Sequence, residues 1–422
     1  MKKLFKILFL VAMSVTAIAA ANMCSETAKA AESEKEWSTG KSVIIRQKNC
    51  NFFAYLSKDG KASWVYQVRI KKDGMKKLSF PTQIKGAPVT RVGYGEELYA
   101  EDIECYYSIF KNALEPWHNC YDTDVKAKDI TAIKFPATLT QIDAGAFCGF
   151  KKLKKIKIPD GVETLSSCIF AACPKLKEVK LPARLKSFDV GAFDKSKAIK
   201  KLFVPSENAE FRTKKGYLLS KDSKKIIWAP PALKKFSIPS GVTELNYGTL
   251  NDSQAKEVII PKSVGNIGAE ALSGSKIKKI TLKKGNKTYK MDRGCIYRKS
   301  DKSLIAILVK NRRAKISPKV KILGDGISIM GVRARKIKRV NIPKSVKIVT
   351  GEWEFFNDHG LVCSAVVYFH GKTPPEIVGE NTHIPSFNKI YVPKKAKKAY
   401  IRWAENKVLS VKTWSKRYLY TF

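Results

Sequence analysis

The sequence predicts a β-rich solenoid with turns of about 23 residues, interrupted by β-hairpin insertions and closed by terminal caps. Three observations predict it. Pro136, Pro159, Pro182 and Pro205 stand 23 residues apart. Each closes a run of the form apolar-x-x-apolar-x-apolar-Pro: ITAIKFP, LKKIKIP, LKEVKLP and IKKLFVP. A second pattern follows each proline, as in Leu139, Ile142, Ala146 and Phe147, or Leu185, Phe188, Ala192 and Phe193, or Val264, Ile267, Ala271 and Leu272. The first pattern alternates with period two and reads as a strand, which proline ends because it has no N–H for the ladder. The second reads as a short strand or turn that returns the chain to the next repeat. A fixed period of this size is one supersecondary unit repeated, with a core that grows by stacking.

The elements follow in order. Residues 1–30 read as a signal peptide: Lys2, Lys3 and Lys6 precede an apolar run from Ile7 to Ala21 that is short for a membrane span. Cleavage is expected after Ala30, with Ala21 the alternative site; Cys24 lacks the lead-in of a lipid-modified cysteine. Residues 31–74 are an N-terminal cap region with strands over 37–70. The solenoid spans 75–393, with insertions near 94–128, 206–232 and 283–317. The first insertion gathers Glu96, Glu97, Glu101, Asp102 and Glu104. The other two resemble each other, each an aromatic residue, a glycine and a polar turn before an apolar run, and read as β-hairpins. Residues 394–422 form a C-terminal helical cap or tail, with Ala396, Ala399, Tyr400 and Trp403 at helical spacing.

Composition narrows the function. The chain has 422 residues, 80 Lys+Arg against 37 Asp+Glu, and a net charge of +43. Loss of residues 1–30 removes four lysines and one glutamate and leaves +40. Such a charge attracts polyanions at long range. For an exported chain these are wall polymers or acidic glycans, and nucleic acid is disfavoured. No second apolar run is long enough for a transmembrane segment, and a monomer is expected.

Eight cysteines lie beyond residue 30, at irregular spacings that make no disulfide framework. Cys105 and Cys120 are the favoured pair. Cys173 falls where the preceding repeat has Phe150 and reads as a small core residue. His118, His359, His370 and His383 have no catalytic or metal-binding spacing, so no catalytic residue, metal site or cofactor is assigned. Gly93-Tyr94-Gly95 and Gly324-Asp325-Gly326 read as turns. Trp64, Trp117, Trp228, Trp353 and Trp403 read mostly as packing residues, with sugar stacking as the alternative.

The unit L-x-x-I-x-I-P-x-x-V-x-x-I-x-x-x-A-F-x-x-C/F resembles the BspA-like leucine-rich repeats of bacterial surface proteins. LKKIKIPDGVETLSSCIFAACPKL, from Leu153 to Leu176, is a close match, and YFHGKTPPEI (Tyr368 to Ile377) and KIYVPKKAKKAY (Lys389 to Tyr400) also fit. The resemblance covers about residues 75–400 and implies an exported, surface-associated protein, in some cases an adhesin, with no catalytic residues. The lysine density departs from it.

The alternation then says which side chains face out. If Ile156 and Ile158 point inward, Lys155 and Lys157 point outward. The same register turns out Lys77, Lys134, Lys180, Lys201, Phe203, Lys235, Lys279, Arg339, Lys389 and Tyr391. The outward pair Glu257/Ile259 alone lacks a cation. Strands about 4.8 Å apart set lysines on successive rungs within one Debye length, where they repel and a bound polyanion relieves the repulsion. The competing role is protection of a sheet face from self-association. The expected function is non-enzymatic binding or adhesion through this face. The alternatives are an adhesin that takes a host or matrix protein on the acidic 94–128 insertion, and a wall-associated hydrolase.

Overall fold

The structure, a computed structural model, describes residues 42–93, 125–250, 252–274, 276–324, 326–333, 336–350, 365–378, 389–407 and 419–422. The signal segment, the acidic residues of the first insertion, Cys105, Cys120, Cys363, Trp117, Trp353, His118, His359 and His383 lie outside these residues. The fold is a β-solenoid of about 12 turns with repeats about 23 residues apart.

Each regular turn has two strands. The strand before the proline is Lys155–Lys157, Glu178–Lys180 or Lys201–Phe203, paired in parallel so that Ile156, Val179 and Leu202 stack in register. The strand after the proline has two residues, such as Thr164–Leu165 beside Ser187–Phe188. The proline does more than stop the ladder. The Pro159 carbonyl accepts from Val162 N at 3.1 Å, and Pro136, Pro182, Pro239, Pro261 and Pro343 repeat the bond to the residue three later. Proline therefore sets the corner between the two sheets, because its carbonyl closes the turn while its ring cannot donate.

The core lies between the sheets. Leu153, Ile156, Ile158, Val162, Leu165 and Phe170 are buried in one turn, and neighbouring turns repeat them. Phe147, Phe170 and Phe193 form a stack with centroids 5.4 and 6.3 Å apart and rings tilted by 16° and 18°. Full burial of such a side chain contributes about 1.5–3 kcal/mol. Cys173 is buried as expected, with its thiol pushed up to about 12 by desolvation.

Both expected hairpins are present. Phe211–Lys214, Tyr217–Ser220 and Lys225–Trp228 run antiparallel, as do Tyr289–Asp292, Cys295–Arg298 and Leu304–Leu308. Lys215 and Gly216, and Arg293 and Gly294, have φ between 50° and 85°, the backbone of a two-residue type I′ turn. The third strand of each hairpin returns to the solenoid. Lys225–Trp228 pairs in parallel with Glu244–Leu245, and Leu304–Leu308 with Ser328–Met330.

The ends are closed differently. Ser42–Arg46, Cys50–Leu56 and Ser63–Ile70 form an antiparallel meander, which continues in parallel through Ala87–Val92 to Gln141–Ile142. At the other end the helix Lys397–Lys407 buries Tyr400 against Phe369, and Trp403 Nε1 donates to Pro375 O at 2.7 Å. A strand that the sequence reading did not contain, Leu419–Thr421, then pairs in parallel with Lys389–Val392.

Candidate functional site: the outward face of the first sheet

The pre-proline strands carry the candidate residues. They form four hydrogen-bonded segments. The first is Lys77–Ser79 with Ala132–Lys134, and the second runs from Lys155–Lys157 to Lys201–Phe203. The third runs from Lys235–Ser237 through Glu257–Ile260 to Lys279–Leu282. The fourth runs from Arg313–Lys315 through Arg339–Ile342, Val366–Phe369 and Lys389–Val392 to Leu419–Thr421. Lys77, Lys134, Lys155, Lys157, Lys180, Lys201, Phe203, Lys235, Lys279 and Lys389 are exposed, and Arg339 and Tyr391 are half-buried.

The first outward column is not the repelling row of lysines that the sequence reading expects. Glu178 faces Lys155 and Lys201 in register, and Lys155 Nζ lies 2.8 Å from its carboxylate. Glu257 faces Lys235 and Lys279 and holds both ammonium groups at 3.1 Å. Hydrogen bonds from these lysines hold both carboxyls below the usual range. The column therefore reads Lys-Glu-Lys twice. Two acidic residues placed on middle rungs turn repulsion into attraction.

The second outward column differs. Lys157 stands beside Lys180, and Lys134 occupies the same position on the strand before them. Lys157 reaches Asp160 at 3.3 Å, an exposed pair of little strength. Phe203 ends this run and is 41% exposed. Ser237, Ile259 and Thr281 continue the column without charge.

In the fourth segment the second column becomes aromatic. Tyr368 and Tyr391 stack at 4.7 Å and 9°, and Tyr391 and Tyr420 at 5.3 Å and 26°. The Arg339 guanidinium lies 3.7 Å from the Tyr368 centroid, so Arg339 is engaged by a ring face. Lys389 Nζ lies 5.3 Å from the Tyr420 centroid. Because the rings cover one another's faces, this ladder ties strands together more than it offers a stacking platform. His370, with its imidazolium disfavoured by burial and by Arg339, abuts Phe422 at 5.3 Å.

Two outward cations escaped the sequence reading. Arg313 and Lys315 flank buried Ala314 on a full rung, in register with Arg339 and Asn341. The signal was present as Arg313-Ala314-Lys315-Ile316-Ser317-Pro318, the usual pattern with the proline one residue late. Between this rung and Lys279–Leu282 the sheet is interrupted, and a cleft of about 760 Å3 opens there.

Trp64 and Trp228 are buried, and Trp403 packs in the C-terminal cap, as packing residues. Among the described residues no group of His, Cys, Asp or Glu is placed to hold a metal ion, and no helix is long and apolar enough to cross a membrane.

Corners closed by proline carbonyls, two parallel sheets and a repeating apolar turn define a leucine-rich-repeat solenoid protein. The family model of the BspA type leucine rich repeat region matches residues 123–216 and 228–318 in six copies. The matched residues carry repeats of that type, and the fold around them is a leucine-rich-repeat solenoid. Three solved structures are similar to the chain. The pneumococcal vaccine antigen PcpA is 16% identical, with 91% of this chain and 100% of that one covered and a TM-score of 0.39. A leucine-rich repeat protein from Eubacterium ventriosum is 14% identical, with 89% and 98% covered and a TM-score of 0.37. A leucine rich cell surface protein from Faecalibacterium prausnitzii is 16% identical, with 74% and 91% covered and a TM-score of 0.34. No curated protein matches the chain.

Proposed function

We propose that this protein is an exported, surface-associated binding protein that engages an extended anionic partner, a wall polymer or acidic glycan, through the outward face of its first sheet, without catalytic turnover. One observation carries the reading. Among the described residues, outward positions of the first-sheet strands hold Lys77, Lys134, Lys155, Lys157, Lys180, Lys201, Lys235, Lys279, Arg313, Lys315, Arg339 and Lys389, against Glu178 and Glu257 alone. The post-proline strands form the contrast. Among the described residues Gln141, Thr164, Ser187, Asn266, Glu376 and Val378 are their exposed outward residues, none of them a cation, and Lys225 on the adjoining hairpin strand is paired with Glu244 at 2.6 Å. One face is thus basic and the other is not, so the excess charge is directional and concentrates the local potential along a strip.

Export rests on the Lys-rich, then apolar, pattern of residues 1–30, and the surface position accords with the repeat family. Binding is tested on immobilised heparin and on purified teichoic-acid-bearing walls. Elution that shifts to higher salt than a net-charge-matched control supports the reading; retention indifferent to salt defeats it. Fractionation of the source cells tests export, and recovery only from the cytoplasm refutes it. Turnover of purified peptidoglycan overturns the non-enzymatic assignment.

A further inference from the structure

The cleft between the third and fourth sheet segments differs from the rest of the outward face. Among the described residues Lys279–Leu282 has a strand partner only on the side of Glu257–Ile260, and Arg313–Lys315 only on the side of Arg339–Ile342. The second hairpin is inserted between these two rungs and holds them apart. Its turn carries Arg293, and a second turn carries Lys310, whose carbonyl accepts from Arg313 N at 2.9 Å. Leu308 N donates to Gly294 O at 2.9 Å and fastens the two turns together.

The resulting cleft of about 760 Å3 is lined by six cations, Lys278, Lys279, Arg293, Lys310, Arg313 and Lys315, and by no carboxylate. Lys279 is committed to Glu257 at 3.1 Å, and Arg293 lies 4.0 Å from Asp292. Among the described residues Lys278, Lys310, Arg313 and Lys315 make no ion pair. Ile280, Leu308 and Met291, the last 41% exposed, supply apolar surface between the charges. In the second and third segments the middle rung brings a glutamate beside two lysines. Here the interruption removes the neighbouring rung on which such a glutamate would stand.

We infer that this cleft is the anchor site for a densely charged oxyanion chain, a heavily sulfated glycan or a polyphosphate. The inference rests on the anionic partner proposed above and assigns its place and its charge density. Arginine forks and lysine ammonium groups from two turns converge on a short stretch, so a ligand must bring several negative groups within one cleft length. A chain with one carboxylate per sugar brings fewer.

The test uses the full mature chain and fluorescence anisotropy with labelled heparin, inorganic polyphosphate and polygalacturonate at about 50 and about 150 mM salt. K310Q/R313Q/K315Q removes three cleft charges; K134Q/K157Q/K180Q removes three from the regular rungs. The cleft variant is expected to lose about 30-fold in affinity for heparin or polyphosphate and to show a shallower salt dependence, the rung variant about 3-fold or less. Heparin and polyphosphate as separate arms tell sulfate from phosphate sources. Equal losses in the two variants overturn the cleft and leave the basic face standing. Wild type that binds none of the three overturns both. Polygalacturonate bound as tightly as heparin overturns the charge-density assignment. If circular dichroism shows the cleft variant unfolded, amine acetylation of the wild type decides. Heparin that shields Lys278 and Lys310 more than Lys134 and Lys180 supports the site, and uniform shielding refutes it.

Discussion

The turn from Pro159 to Pro182 and the turn from Pro205 to Pro239 begin alike and end differently. Each proline carbonyl accepts from the residue three positions later. In the regular turn that residue is Val162, which enters the core; in the other it is Asn208, also buried. Asn208 Nδ2 donates to Ala183 O at 2.8 Å and Leu185 O at 2.9 Å, while its Oδ1 accepts from Glu210 N and Phe211 N at 3.0 and 2.7 Å. Asn286 does the same in the second hairpin turn, with Pro261 O, Val264 O, Thr288 N and Tyr289 N. An amide has two donors and an acceptor, enough to bind the previous turn and redirect its own chain at once. One apolar-to-amide exchange thus accompanies the change from a plain turn to one that carries a hairpin. The hairpin in turn opens the first sheet, and the second hairpin leaves a basic cleft. The regular turns stack phenylalanines and pair charges; the interrupted ones end the stack on Trp228, 5.8 Å from Phe193, and leave charges unpaired.

The largest expected effect lies in the regular turns. Phe170→Ala removes the middle ring of the stack and is expected to cost about 3–5 kcal/mol by urea unfolding. A cost below about 1 kcal/mol would mean that the turns do not share a packed core. Next is Asn208→Leu, which gives the interrupted turn the residue of a plain one. Four buried or half-buried backbone groups then lose their partner, at about 2–3 kcal/mol. A neutral result would show that the hairpin needs no amide bracket.

A smaller effect tests the junction between the two kinds of turn. Desolvation first, and then the charges of Asp252 and Asp189, push the Asp194 carboxyl up to about 6. Its folded value exceeds its unfolded one, so its stabilising protonation is complete below about pH 4 and lost as pH rises through about 6. Asp194→Asn should therefore melt higher than wild type at pH 7, with the gap closing at pH 4. Parallel melting curves across that window would contradict it. The smallest effect is on the rungs. Glu257→Gln frees Lys235 and Lys279 and should tighten heparin binding about 2- to 3-fold with the melting temperature unmoved. Weaker binding would show that the Lys-Glu-Lys rungs themselves form the ligand surface.

Much of this was legible in the residues. The 23-residue spacing with its terminal proline marked the regular strands, and period two then assigned Ile156 inward and Lys155 outward, because a strand has no other way to dispose successive side chains. Both hairpins were visible through their glycines and polar turns. The rung Arg313–Lys315 was missed because its proline comes late, behind Ser317. The strand Leu419–Thr421 was missed because it has no proline and follows a helix. Five of the six cleft cations, Lys278, Arg293, Lys310, Arg313 and Lys315, looked like ordinary solvated charges.

By itself the sequence determined the period, the inward and outward faces and the excess of positive charge on one of them. These depend on local alternation and on what proline cannot do. Only the tertiary structure decided which charges meet. Lys155 and Glu178 are neighbours because the turns stack in register, and Lys278 and Arg313 share a cleft because a hairpin holds two rungs apart. Coulombic compensation depends on distance across strands, and that distance is set by stacking between turns and not by separation along the chain.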